Sequence, residues 1–190
     1  MEGYVDFYKI VKFFLSMQYD HKKSLEVLER TPVVLKTLLG DLDSDWVMSN
    51  EGPETFSPFD VIGHLIHGEK TDWRPRIQLI IKYGNTKTFE LFDRFAMYKE
   101  SNGKTISQLL QEFEALRNEN ITWLRSLYLE NADLDKKGMH PQLGEVTMKN
   151  LLATWVIHDL THISQITRVM AKQYKNAIGP WTEFFRVLNF

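Results

Sequence analysis

The sequence has 190 residues, of which 43% are hydrophobic and 25% charged, so it can form one apolar core with a charged exterior. Its 23 Lys and Arg residues against 25 Asp and Glu exclude the strongly basic surface typical of nucleic-acid binding. The absence of cysteine excludes disulfides, thiolate ligands and cysteine nucleophiles. With no basic, apolar leader and no apolar run of about 18 residues, we expect one soluble, cytoplasmic domain over residues 1–190, with no membrane span.

Helical periodicity begins near the N-terminus. Apolar and aromatic residues predict a first helix over residues 4–18, which packs at the edge of the core or against another subunit. The next helical pattern covers residues 24–39 and ends at Gly40. Within it, Thr31 has the character of an N-cap and Pro32 suits a first helical position, so we expect a break near residue 31. The polar residues that follow, 41–55, predict a long loop.

The second main helix is predicted to begin with Ser57 as N-cap and Pro58 in the first turn. Pro75 is expected to bend it and Gly84 to close it. His64 lies just off its apolar face, where a neighbouring helix can meet it.

Four other polar residues of this helix also need an interpretation. Glu69, Asp72 and Arg76 lie within or beside the apolar face and predict a partly buried ion pair or triad, more often structural than functional. His67, one turn from His64 on the more polar side, is a weaker alternative metal ligand.

The third helix is predicted over residues 106–130, after an irregular stretch at 85–102 in which one helical turn is expected around residues 91–98. Thr105 and Gln108 form a capping-box pattern at its start. Glu114 and Arg117 could reach a site, but a solvent-exposed face is the better interpretation for both.

The fourth helix, residues 147–172, follows a loop at 131–145, with Thr147 as its N-cap. His158 and His162 are four residues apart, so their imidazoles project from nearly the same face and suit two ligands of one metal ion. A single histidine on an apolar face is more often an ordinary core residue, but two at this spacing, with a third upstream, favour a metal site. The metalloprotease motif HExxH is absent, because Asp159 follows His158.

Other functional classes find no support in the sequence. There is no GxGxxG, no phosphate-binding GxxxxGK[ST], no Gly-x-Ser-x-Gly elbow and no persistent strand-like alternation. His140 in the last loop could cover a pocket, although an ordinary loop histidine is more common. The four main helices, with extra short terminal helices that include residues 181–190, predict an all-α fold of the four-helix-bundle type.

Three segments resemble the DinB-like, or YfiT-like, superfamily of metal-dependent enzymes: SPFDVIGHLIHGEKTDWRPRI, HPQLGEVTMKNLLATWVIHDLTHISQITRVM and the closing GPW. The resemblance covers essentially the whole chain and implies a DinB/YfiT-like four-helix bundle, frequently a homodimer. It also implies a three-His site, carried here by His64, His158 and His162. The implied cofactor is a divalent transition metal, zinc or nickel first and manganese or iron as alternatives. Family members include thiol-dependent transferases and isomerases, as well as hydrolases.

The first functional hypothesis is a metalloenzyme that acts on a small molecule. It would activate water for hydrolysis or a low-molecular-weight thiol for transfer. Asp159 and Gln165 are its candidate catalytic residues, through orienting a ligand or substrate, although a packing role is the better interpretation for Asp159 than that of general base.

Two alternatives remain open. One is a non-catalytic metal-binding or small-molecule-binding bundle, which a fourth protein ligand or a sealed site would favour, whereas an open pocket would favour the enzyme. The other is a structural bundle whose histidines bind nothing. The aromatic ends of the chain could form a homodimer interface or close the monomer's own core.

Overall fold

The structure is a computed structural model that describes residues 18–188, so the predicted helix at 4–18 lies almost entirely outside it. Two strands, β1 (Lys137–His140) and β2 (Gly144–Thr147), form an antiparallel hairpin. Short 3-10 segments lie at Gly84–Thr86, Gly179–Phe184 and Arg186–Leu188. The α-helices of this part of the chain are α1 (His21–Leu39), α2 (Ser44–Met48), α3 (Pro58–Thr71), α4 (Trp73–Tyr83), α5 (Ala96–Glu100), α6 (Ile106–Ser126), α7 (Asn131–Leu134) and α8 (Met148–Gln173).

Four long helical segments form the body of the molecule: α1, α3 continued by α4, α6 and α8. Helices α1 and α3 each pack against both α6 and α8. Apolar side chains between them form two buried clusters, one around Ile62 and Phe113 and the other around Trp73 and Trp155. The predicted helical bundle is therefore confirmed.

Helix α1 differs from the prediction because it runs through Pro32 without a break. Its N-cap is Asp20, whose carboxylate accepts hydrogen bonds from the backbone N–H groups of Lys22 and Lys23. The predicted N-cap at Thr31 is thus wrong. A proline inside a helix leaves the carbonyl four residues earlier without its helical N–H, and here the Leu28 carbonyl accepts from another helix.

The second helix is divided at Asp72 into α3 and α4, three residues before the expected bend at Pro75. Pro75 is the third residue of α4, where its missing N–H would have had no partner within the helix. The beginning and the end agree with the prediction. Ser57 and Asp60 form a capping box, and Gly84 closes α4 with a φ of 58°.

The predicted loops contain more structure than the sequence indicated. Helix α2 lies within residues 41–55, whereas α5 is a helix of about one turn within 85–102, where one helical turn was expected. The stretch 131–145 contains α7 and most of the hairpin, whose four-residue strands are too short to show alternation. The short helix expected from residue 181 onwards is 3-10 in its described part.

The starts of the last two long helices follow the prediction. Thr105 and Gln108 form the expected capping box, and Thr147 caps α8 together with Asn150. Among residues 18–188, no helix combines the length and the apolar character that a membrane crossing needs.

Candidate metal centre

Three histidines from two helices meet in the bundle: His64 from α3, and His158 and His162 from α8. The Nε2 atom of His158 lies 3.1 Å from that of His64 and 3.2 Å from that of His162. One ring nitrogen from each residue lies within 4.8 Å of the others. Nitrogen ligands about 2.0 to 2.1 Å from a tetrahedral ion are separated by about 3.3 Å, close to the two distances measured from His158, so the three side chains are candidate ligands of one divalent ion.

Local structure explains how the three rings come together. The capped helix α8 presents His158 and His162 one turn apart on one side. His64 is buried on α3, next to Gly63, whose missing Cβ lets α3 approach Met97 and Ser101 closely. The sequence predicted that a neighbouring helix would meet His64, and that helix is α8.

The electrostatic environment keeps these imidazoles neutral. Burial, together with a smaller contribution from repulsion by His162, lowers the pKa of His64 to about 4 and that of His158 to about 2. Burial also lowers the pKa of His162, although Gln165 and Asp159 partly oppose it. Neutral imidazole is the form that ligates metals, so the rings are ready to bind an ion at neutral pH.

A polar neighbour orients one of the rings, that of His162. The Nδ1 atom of His162 lies 2.9 Å from the Gln165 side-chain oxygen, and an Nδ1–H donated there leaves the Nε2 lone pair for the cluster. The Arg94 backbone carbonyl faces the ring of His64. Among residues 18–188, the buried Nδ1 atoms of His64 and His158 have no hydrogen-bond partner of ordinary geometry.

Asp159, the other predicted catalytic candidate, faces the core. Its two oxygens accept hydrogen bonds of 2.6 and 2.9 Å from Arg117, and both side chains are fully buried. Its charge nevertheless reaches the site, because it raises the pKa of His162. The roles of Asp159 and Gln165 in catalysis stay predictions. The prediction that Arg117 lies on a solvent-exposed face is wrong, because its side chain is fully buried.

The ion pairs predicted on the second helix are divided between two places. Arg76 pairs with Asp72 at 2.7 Å, whereas Glu69 pairs with Arg117 at 2.8 Å. His67 lies outside the three-His cluster and contacts Glu100 at 3.0 Å.

A cavity of about 460 Å³ opens beside the histidines, and all three contribute to its wall. Its loop residues could not be predicted from periodicity, because the segment around residue 92 and the hairpin have no periodic pattern. The other residues that line it are Phe56, Gly68, Asp72, Trp73, Arg76, Phe89, Phe92, Arg94, His140, Leu143, Val146, Asn150, Leu151, Thr154 and Gln165.

The fold and the site together define a helical bundle with a three-His candidate metal centre beside an open cavity. The sequence profile of the DinB superfamily matches residues 27–166, so the chain belongs to that superfamily. Among solved structures the chain is similar to YfiT from Bacillus subtilis, with a TM-score of 0.70 and 21% identity over 84% of this chain and 91% of that chain. YfiT is described as a probable metal-dependent hydrolase with an unusual four-helix bundle topology. None of the curated proteins compared with the chain matches it.

Proposed function

We propose that this protein is a metal-dependent enzyme that acts on a small molecule. His64, His158 and His162 hold one divalent transition metal, zinc or nickel before manganese or iron. The observation that carries this proposal is the convergence of three neutral imidazoles on the wall of an open cavity. The description of YfiT as a probable metal-dependent hydrolase supports hydrolysis, and thiol transfer is the alternative reaction.

The cavity favours an enzyme over a non-catalytic binding bundle. Within residues 18–188, the cluster contains three histidines and no fourth His, Asp or Glu ligand. A site with three protein ligands keeps a position open for water or substrate, as catalytic rather than structural sites do. The adjoining volume of about 460 Å³ is in the range of small-molecule sites.

The chain's own residues have distinct tasks in this proposal. When bound, the ion supplies a water molecule with a lowered pKa or a site that binds a thiol as thiolate. Gln165 fixes the tautomer and orientation of His162. Trp73, in edge contact with His158 at 5.1 Å, and Phe92, at 5.3 Å from His64, exclude water from two sides.

Elemental analysis of protein purified without an affinity tag tests the metal site. We expect about one equivalent of a divalent transition metal in the native protein and little in His162→Ala. His140→Ala is the matched control, since His140 lines the cavity outside the cluster and its removal should leave the metal content unchanged. A native protein that stays metal-free after incubation with Zn, Ni or Mn and desalting would contradict the proposal.

Two assays on the metal-loaded protein separate the possible reactions. Cleavage of p-nitrophenyl acetate without thiol would support a hydrolase, whereas cysteine-dependent consumption of 1-chloro-2,4-dinitrobenzene would support a thiol transferase. Either activity should be lost in His162→Ala and kept in His21→Ala, because His21 contacts Tyr19 and does not line the cavity. Bound metal without activity towards wider panels of either class would favour the non-catalytic bundle. A homodimer, a cytoplasmic location and the lack of a nucleic-acid partner stay predictions.

A further inference from the structure

Arg94 is a cation on the cavity wall that has no carboxylate partner among residues 18–188. Its guanidinium lies over the rings of Phe56, at 5.5 Å, and Phe95, at 5.0 Å. By contrast, Arg76, the other arginine of the cavity, forms an ion pair with Asp72. The two aromatic rings hold the Arg94 side chain by cation–π contact and leave its N–H donors available to a ligand.

Arg94 also lies close to the candidate metal centre. Arg94 and the three histidines line the same cavity, and the Arg94 backbone carbonyl faces the His64 ring. Phe56 connects the two residues, because its ring contacts the Arg94 guanidinium on one hand and His64, at 5.8 Å, on the other. A molecule of modest length can therefore contact Arg94 at one end and the histidine cluster with another group.

The charges of the cavity favour an anion. Its described wall includes two arginines and one carboxylate, Asp72, which Arg76 already neutralises. The charge of Arg94 is thus uncompensated, and a bound divalent ion would make the cavity more positive still.

We propose that Arg94 binds the carboxylate of an apolar organic acid whose body lies along the aromatic wall and whose reactive group faces the three histidines. This assignment names a substrate class for the proposed function and rests on it. The planar fork of a guanidinium matches a carboxylate with two parallel hydrogen bonds. One free guanidinium suits a single negative charge, and Phe56, Phe89 and Phe92 provide the apolar surface for the body.

Calorimetric titration with small aromatic acids tests the proposal. The probes are benzoate, phenylacetate and 3-phenylpropionate, each beside its neutral primary amide. We expect at least one acid to bind the wild type more tightly than its amide, and Arg94→Gln to weaken that acid about tenfold or more, because hydrogen bonds to charged groups are strong. The amides should bind both proteins equally, and Arg94→Lys should keep part of the affinity.

Lys87→Gln is the matched control. Lys87 is an exposed residue that precedes Arg94 in the same connecting segment and stacks on Tyr83, but it does not line the cavity. Its replacement removes one positive charge and should leave acid binding unchanged. Arg94 is exposed, so Arg94→Gln should fold, and its circular dichroism and metal content check this.

Titration of both zinc-loaded and metal-free protein separates this proposal from the proposed function. Acids that bind no tighter than their amides, or equally well to Arg94→Gln and wild type, overturn the role of Arg94. If acid binding is lost when the metal is removed but is unchanged in Arg94→Gln, the ion is the anion site. This result overturns the present proposal and is consistent with the metal site. If the protein takes up no metal but still binds the acids in a way that depends on Arg94, the proposed role of Arg94 is supported and the proposed metal-dependent function is refuted.

Discussion

The guanidinium of Arg117 on α6 donates a hydrogen bond of 2.8 Å to the backbone carbonyl of Leu28 on α1. Leu28 lies four residues before Pro32, whose ring nitrogen carries no hydrogen for the usual helical bond. Arg117 thus satisfies a buried carbonyl that would otherwise be without its helical donor. This bond explains how α1 continues through a proline in the core.

The same guanidinium connects the helices that carry the metal candidates. It pairs with Glu69, which is on α3 with His64, and with Asp159, which is next to His158 on α8. All three charged side chains are fully buried. Glu69 also accepts hydrogen bonds from Asn120 and Trp155, so few of its acceptor positions are left unused.

Replacement of Arg117 by Met should strongly destabilise the fold. The variant leaves the carboxylates of Glu69 and Asp159 buried without their cation, and breaking such a pair costs about 3 to 5 kcal/mol in the free energy of unfolding. Urea denaturation measures this change. Adding Glu69→Gln and Asp159→Asn should recover part of the loss, because the uncompensated charges are then removed.

Arg125→Gln is the control for that experiment. Its exposed pair with Glu29 should contribute only about 0 to 1 kcal/mol. If Arg117→Met were no less stable than Arg125→Gln, the buried network would not be a major contribution to stability.

Local signals in the sequence predicted much of the fold and the site. The caps at Thr105 and Thr147 and the His158–His162 spacing depend on residues within one or two helical turns, and each has the predicted position. The errors at Pro32 and Arg117 have a different cause. Taken alone, a proline is expected to begin or break a helix and an arginine to lie at the surface. Here Arg117 supplies the hydrogen bond that Pro32 cannot make, and the two residues are 85 positions apart, so no local pattern reveals the contact.

The cavity was also beyond sequence reasoning. Phe56 and Arg94 are in connecting segments without periodicity, and they meet only because the loops fold over the same end of the bundle. By contrast, the charges of Glu69 and Asp159 within apolar helical faces were a usable signal for a buried cation. That cation is Arg117 on α6, and not Arg76, which is nearer to Glu69 in the sequence and pairs with Asp72.

The metal-free protein should lose stability as the pH falls below about 6.5, the ordinary histidine pKa. His64 and His158 have folded-state pKa values of about 4 and about 2, so below pH 6.5 the unfolded chain binds protons that the folded protein does not. This difference lowers the free energy of unfolding as the pH falls from 6.5 towards 4. Urea denaturation at pH 7.5, 6.0 and 5.0 should show the decrease, with a smaller slope in His158→Gln. Equal slopes would contradict the assignment.

Gly63→Ala should weaken both the fold and the metal site. A Cβ at residue 63 would collide with the Ser101 hydroxyl and lie 3.3 Å from the Met97 Cβ, so α3 must shift relative to α5. Overpacking of this kind costs about 1 to 3 kcal/mol, measured by urea denaturation. Metal affinity should fall as well, because His64 is the next residue. Adding Ser101→Ala should restore part of the stability and part of the metal affinity. If neither were restored, the contact with Ser101 would not be the cause of the loss.

Glu51 ties the segment after α2 to the C-terminal part of α8. Its carboxylate accepts hydrogen bonds of 2.8 and 2.6 Å from Arg168 and forms an ion pair of 2.7 Å with Lys172. The hydrogen bond from Arg168 makes the largest contribution to lowering the pKa of Glu51 to about 2. Glu51→Gln should therefore reduce the free energy of unfolding by about 1 kcal/mol at pH 7, more than an isolated surface pair contributes.

The pH dependence of that loss distinguishes charge from packing. Because the folded-state pKa of Glu51 lies below its ordinary value, its stabilisation is complete above about pH 4.5 and disappears as the pH falls towards 2. The difference between wild type and Glu51→Gln should therefore shrink between pH 7 and pH 3 in urea denaturation. Glu119→Gln, which removes an exposed pair with Arg74, should have little effect at either pH. A Glu51→Gln penalty that stays constant over this range would indicate that Glu51 acts through packing rather than through its charge.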